Sequence, residues 1–177
     1  ILDQKKDLFT RKLSQKICKR APKLSDTITY ANSAIAADAA GFVVLVSENF
    51  LKNRMLKGIE FLDSATSGVL PEEAPLAPAG AMKKLLDQTE VRLSNLNFIE
   101  LMEAYAAQAI LCSRICDLDL DIVNIRGGAL SRGHPIGASG AILVVRLFNE
   151  LIKTAGKFGM AAIAAAGGIG SAIMLKS

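Results

Sequence analysis

The sequence predicts an α/β fold built as helix, sheet and helix layers, and three observations carry that prediction. Strand-like apolar runs alternate with helix-period segments through most of residues 27–160. Residues 159–176 hold two apolar runs around a glycine turn, an antiparallel pair that closes the sheet at one edge. The chain has 177 residues with 51% hydrophobic content, enough to bury the core of one domain or a little more.

After a basic arm, TITYANSAIAADAAGFVVLVSEN (27–49) reads as a small-residue helix running into the strand FVVLVS, with Gly41 at the break. LKGIEFLDSATSGVL (56–70) alternates like a strand, and PEEAPLAPAG (71–80) is a proline-punctuated loop. Pro78 suits the first turn of the helix that follows, in which Met82, Leu85 and Leu86 fall on one face. NFIEL (97–101) is a short strand, EAYAAQAILCSRI (103–115) a helix, and DIVNI (121–125) an apolar segment entering a glycine loop. AILVVRLFNELIKT (141–154) has strong helical periodicity, and GMAAIAAAGG with SAIMLK forms the closing pair, turning at Gly167–Gly170.

The net charge of +4 is unevenly placed: residues 1–23 carry eight Lys or Arg against Asp3 and Asp7. That arm is either a solvated helix or linker, or a surface for a phosphate-bearing ligand such as a nucleotide. With Phe9 as its one aromatic, it lacks the stacking platform of a single-strand nucleic-acid binder. No run reaches the 18 or so apolar residues of a membrane span, and ILDQKKDLFTRKLSQK alternates charge too often for a signal peptide. A cytoplasmic location without membrane attachment is the expectation. The chain opens on Ile1, which predicts processing or a longer parent. Cys18, Cys112 and Cys116 read as reduced thiols, the last two as small core residues rather than half a metal site.

The one histidine, His134, lies in GGALSRGHPIGASG (127–140) between Gly133 and Pro135. Gly133 permits unusual backbone angles and Pro135 biases His134 to an extended conformation, so the imidazole is presented on a stiff turning loop. The loop could cradle a phosphate at the start of the next helix, but it lacks the Lys and Ser or Thr of a Walker loop and the spacing of a dinucleotide fingerprint.

NIRGGALSRGHPIGASGA (124–141), ELMEAYAAQ (100–108) and GMAAIAAAGGIGSAIM (159–174) resemble, in order and spacing, the three C-terminal signature regions of thiolases. TITYANSAIAADAAGFVVLVSE (27–48) is similar to the stretch by which a thiolase chain returns to finish its N-terminal domain. The resemblance implies three parts: a basic arm over 1–26 matching the end of the loop domain that wraps coenzyme A, a helix and strand over 27–54 belonging to the N-terminal domain, and a C-terminal domain over 55–177. That last domain is expected to be a mixed five-stranded sheet with helices on both faces.

The resemblance also implies site residues. His134 matches the histidine that activates a nucleophilic cysteine and helps form an oxyanion hole, a task for which a neutral imidazole is suited. Gly133, Pro135, Ala34 and Tyr105 match positions around the bound pantetheine. Ala164 stands where the family has its acid/base cysteine, and a methyl group exchanges no protons. Ala166 replaces the first glycine of a triplet and retains a backbone N–H for an oxyanion. Met102 stands where an asparagine orients water, Tyr105 replaces phenylalanine, Ala34 replaces a serine, and Arg126 and Arg132 replace Asn and Leu. Asp38 is kept. Met102, His134 and Ala164 are expected to converge on one pocket.

Two functions follow from the resemblance. One is the C-terminal half of an acyl-CoA C-acyltransferase, acting on coenzyme A thioesters with no tightly bound cofactor, homo-oligomeric when complete, and needing an N-terminal half that carries the acylated cysteine. The other is a non-catalytic module that binds acyl-CoA or a partner subunit, which the Ala164 and Met102 changes favour.

Overall fold

The computed structural model describes residues 10–177; the first nine residues of the basic arm, Phe9 among them, lie outside the described residues. The elements are α1 (Gln15–Arg20), α2 (Glu48–Arg54), β1 (Glu60–Gly68), α3 (Ala77–Thr89), β2 (Leu96–Leu101), α4 (Ala106–Ile115), α5 (Ala129–Arg132), α6 (Ser139–Thr154), β3 (Phe158–Ala165) and β4 (Ile169–Lys176). The sheet order is β1-β4-β3-β2. β3 and β4 form an antiparallel hairpin in continuous register with Ala162 opposite Ala172, β1 adds antiparallel to β4, and β2 lies parallel to β3. The sheet is therefore mixed, with helices on both faces.

Side-chain alternation along the strands sorts the core into two layers. Ile99, Leu101, Met160, Ala162 and Met174 face Met82 and Leu85 of α3 and Cys112 of α4. Met102, Ala161 and Leu175 face Leu143, Leu147 and Leu151, which recur every fourth residue along α6. Small residues bring α6 close: a Cβ on Gly159 would meet the Leu147 and Leu151 side chains. Cys112 and Cys116 point Sγ at the carbonyls of Pro75 and Ala79, each at 3.5 Å, and burial pushes the Cys116 thiol up to about 11.

The sheet has four strands where five were expected. DIVNI supplies a short 3₁₀ turn over Leu120–Ile122 and a single parallel bridge, Val123 beside Ile99. Asn124 then turns the chain away with φ of 48°, and its side chain takes over the pairing. It accepts from Leu101 N–H at Oδ1 and donates from Nδ2 to the Leu101 carbonyl, both at 2.9 Å.

The helix expected near the start of 27–49 is also absent. Residues 29–36 are held by isolated bridges, Ser33 to Tyr105 and Ala36 to His134, and residues 37–47 run without regular structure until Ser47 caps α2. Small residues such as Ala36, Ala37, Ala39 and Ala40 supply helix propensity but no apolar stripe to anchor a helix. FVVLV is irregular and exposed instead, with Phe42, Val44 and Leu45 at 86%, 82% and 80%. Together with α2, β1, and Val144 and Phe148 of α6, this segment borders an apolar groove of about 1120 Å³. Among the described residues, no helix is long and apolar enough to cross a membrane.

The β3–β4 turn is seated on the connection after β1. Val69 N–H donates to the Gly168 carbonyl at 2.8 Å, Gly168 has φ of 89°, and a Cβ there would collide with the Val69 carbonyl oxygen. Gly168→Ala should therefore lower unfolding free energy by about 2 kcal/mol or more, read from urea titrations. Gly137→Ala, where an added Cβ meets nothing within 4 Å, should stay within about 0.5 kcal/mol of wild type. Equal stability of the two variants would contradict this packing.

Candidate functional site

The histidine loop is built on a glycine turn. α5 ends at Gly133, which caps it with φ of 90° and donates its N–H to the Ala129 carbonyl at 2.8 Å. The chain then runs extended through His134, whose backbone N–H donates to Ile35 O at 2.7 Å. Residues 33–36 thus lie against the loop on one side, and Ala34 N–H donates to the Ala104 carbonyl at 2.9 Å.

The His134 ring is oriented by Ser139, the first residue of α6. Nδ1 lies 2.6 Å from Ser139 Oγ, and Oγ in turn lies 3.0 Å from the Pro135 carbonyl. A serine has one hydroxyl proton; given to Pro135, it leaves Oγ to accept Nδ1–H. The network assigns the tautomer with Nε2 free to accept a proton, the arrangement a general base requires. Burial holds the imidazole pKa below its ordinary 6.5, favouring the neutral form.

Four further groups hold this region in place. Glu103 accepts from Asn124 Nδ2 at 2.6 Å and from Leu130 N–H at 3.2 Å, and its carboxylate occupies the space a Cβ on Gly128 would need. Arg146 of α6 grips buried Glu100 through two hydrogen bonds of 2.7 and 3.1 Å, and donates a third of 2.9 Å to the Gly127 carbonyl. Desolvation raises the Glu100 pKa against the opposing pull of Arg146. Arg11, from the basic arm, donates to the carbonyls of Leu130, Tyr30 and Ser33 at 2.8, 2.7 and 3.0 Å, tying α5 to the 30–33 segment.

A cleft of about 390 Å³ opens beside the loop, lined by Ala36, Asp38, Met102, Arg132, Gly133 and Pro135 among others. Met102 is buried, donates its N–H to Ala162 O at 2.9 Å, and packs toward Leu143. The chain thus brings Met102 and the histidine loop together. Neither the His134 ring nor Ala164 is among the residues that line this cleft; Ala164 is half-buried opposite Gly170 near the end of β3. Ala166 is exposed in the β3–β4 turn, and Tyr105 is exposed at the start of α4, where water can serve its hydroxyl. Arg126 reaches away from the cleft to buried Glu150, at 3.2 Å.

Sequence reading missed Ser139, Glu103, Arg11 and the Glu100–Arg146 pair. Ser139 had a signal, a serine five residues after the histidine at a helix start. The others pair across 19 to 119 positions and leave no local pattern.

Because His134 is the chain's one histidine, its ring signals in NMR need no assignment by mutagenesis. At pH 8 the ring should carry its proton on Nδ1, and Ser139→Ala should shift population toward Nε2–H. Its titration midpoint should lie below about 6.5. The sign follows: a folded pKa below the unfolded one leaves stability complete above about 6.5 and removes it as pH falls through the interval down to the folded value. A ring protonated on Nε2 at pH 8 in wild type would contradict the Ser139 assignment.

Residues 57–177 match the family model described as "Thiolase, C-terminal domain". Beta-ketoadipyl-CoA thiolase from Acinetobacter baylyi is 37% identical over 157 residues, which span 87% of this chain and 39% of that protein. Among solved structures, the Bacillus anthracis acetyl-CoA acetyltransferase superposes with a TM-score of 0.92 at 29% identity, over 97% of this chain and 45% of that one. Human mitochondrial 3-ketoacyl-CoA thiolase in complex with CoA superposes with a TM-score of 0.87 at 26% identity, over 97% and 45%. The chain spans about two-fifths of the length of such relatives. With the family model covering most of its length, the chain belongs to the thiolase family, of which it carries the C-terminal domain.

Proposed function

We propose that this chain is the C-terminal half of a thiolase-type acyl-CoA C-acyltransferase whose carbon–carbon bond chemistry is impaired. The observation that carries the proposal is the histidine loop, in which Ser139 leaves His134 Nε2 available as a base beside a cleft large enough for an acyl group. His134 would take the proton of a nucleophilic cysteine supplied by an N-terminal half and donate it back to an oxyanion or leaving group. Gly133, Pro135, Ala34 and Tyr105 would border the pantetheine. Ala166 would offer its backbone N–H to an oxyanion.

The N-terminal half has a place to sit. The apolar groove and the exposed FVVLV segment, unpaired among the described residues, fit a chain that contributes one strand to a neighbouring sheet. In the complete protein, residues 27–54 would belong to that half and residues 1–26 to a coenzyme A-wrapping arm. The complete protein would act in the cytoplasm on coenzyme A thioesters, without a tightly bound cofactor, as a homo-oligomer.

Ala164 and Met102 favour a second reading, a thiolase-like module that binds acyl-CoA or a partner subunit without catalysis. Met102 fills with a buried thioether the position where the family's asparagine would hold a water. Ala164 removes the group that would take the α-proton.

The deciding experiment joins this chain to an N-terminal half that carries the nucleophile, then measures thiolysis of acetoacetyl-CoA and single-turnover acylation. Wild type should acylate the nucleophile and fail in thiolysis, because losing one member of a catalytic unit disables the whole route. Thiolysis should appear only with Ala164→Cys. Wild-type turnover at about 1 to 10³ per second would contradict the impaired-enzyme reading, and absence of acylation would favour the binding module.

A further inference from the structure

Two arginines flank the histidine loop, and the structure gives them different surroundings. Arg126 has its counter-charge inside the protein, buried Glu150 at 3.2 Å. Arg132 is half-buried and lines the cleft, whose wall is otherwise largely small or apolar, with Ala36, Met102, Ala129, Ile142 and Leu143. Among the described residues, the one other charged residue lining the cleft is Asp38, which is exposed and forms no salt bridge with Arg132. A guanidinium set in an apolar wall favours an anionic occupant over a neutral one, because its planar fork matches a carboxylate and the low-polarity surroundings strengthen the pairing.

Arg132 also stands two residues before His134, so their backbones lie at most about 7 Å apart. A ligand whose reacting carbon meets the imidazole could therefore place a group a short chain away against the guanidinium.

We infer that Arg132 makes this cleft selective for acyl groups that end in a carboxylate, a specificity-determining role that rests on the acyl-CoA reading given above. The neutral wall from Met102 to Leu143 receives the methylene chain, and Arg132 receives its charged end. A site built to pair with a charged substrate group discriminates against the analogue that lacks it. The same cation could instead meet a phosphate of coenzyme A, and the choice of ligands separates the two sources.

The test is isothermal titration of this chain, joined to the N-terminal half as in the experiment above, with two non-hydrolysable thioethers, S-butyl-coenzyme A and S-(3-carboxypropyl)-coenzyme A. The carboxylated ligand should bind about tenfold tighter, a difference of about 1.4 kcal/mol, and the preference should shrink as salt is raised. Arg132→Leu should abolish the preference by weakening the carboxylated ligand alone, while Arg132→Lys should retain part of it. Equal binding of both ligands by wild type overturns the inference and leaves the acyl-CoA reading intact. Equal weakening of both by Arg132→Leu also overturns it, placing Arg132 on a phosphate. If neither ligand binds, the acyl-CoA reading fails and the inference fails with it.

Discussion

Arg146 makes the contact on which the arrangement of the site depends. From the middle of α6 it holds the Glu100 carboxylate on β2 with two hydrogen bonds and the Gly127 carbonyl with a third, so one side chain joins helix, sheet and glycine loop. Glu100 is 2% exposed on the strand face that otherwise packs against α6. A charge buried so deeply is tolerated only with a partner of this geometry. With β2 and α6 fixed relative to each other, Glu103 and Asn124 can fasten the next stretch, and the loop enters α5 and the His134 turn from a defined direction. Ser139 then sets the ring from the other end of the loop, at the first turn of α6. The residue that orients the base and the clamp are thus carried by the same helix, two turns apart.

That scaffold explains how the chain accommodates its departures from the thiolase pattern. Arg126 replaces a neutral residue and is absorbed by Glu150, another buried carboxylate on α6. Met102 replaces a polar residue and is absorbed by the α6 layer, since its side chain continues the apolar face of Leu143 and Leu147. Neither side chain takes part in the hydrogen bonds that orient His134. The fold around the histidine loop is thus compatible with both Met102 and Arg126.

Much of the fold was legible because its elements answer to local rules. Leu143, Leu147 and Leu151 announce α6 by spacing alone, and the β3–β4 hairpin follows from two apolar runs around glycines. Where sequence reading failed, a non-local partner decided the outcome. DIVNI has strand composition, yet Asn124 enters the left-handed region and substitutes its amide for a ladder. Residues 27–49 combine small residues with a β-branched run, and within the described residues FVVLV finds no strand to pair with. For the site, the GHPIGASG loop and the cleft position of Met102 were legible from motif and order. The seat of the Glu103 carboxylate was not, because its partners Asn124 and Leu130 lie 21 and 27 positions away. Nor was Arg146, whose partners lie 46 and 19 positions away.

The account stands most directly on Arg146, and Arg146→Met is the substitution that addresses it, keeping the side chain's apolar length while removing its charge. Urea unfolding at pH 7 should show a loss of about 3–5 kcal/mol, because Glu100 is left ionised and unpaired. The Glu100 pKa is already raised by burial and would rise further, so the penalty should be full above the folded pKa and disappear as pH falls below the ordinary value of 4.5, where folded and unfolded chains are both protonated. The His134 ring resonances should shift in the same variant as the Gly127 end of the loop is released. Stability within about 0.5 kcal/mol of wild type, together with unmoved His134 signals, would contradict the claim that this one contact holds the site in place.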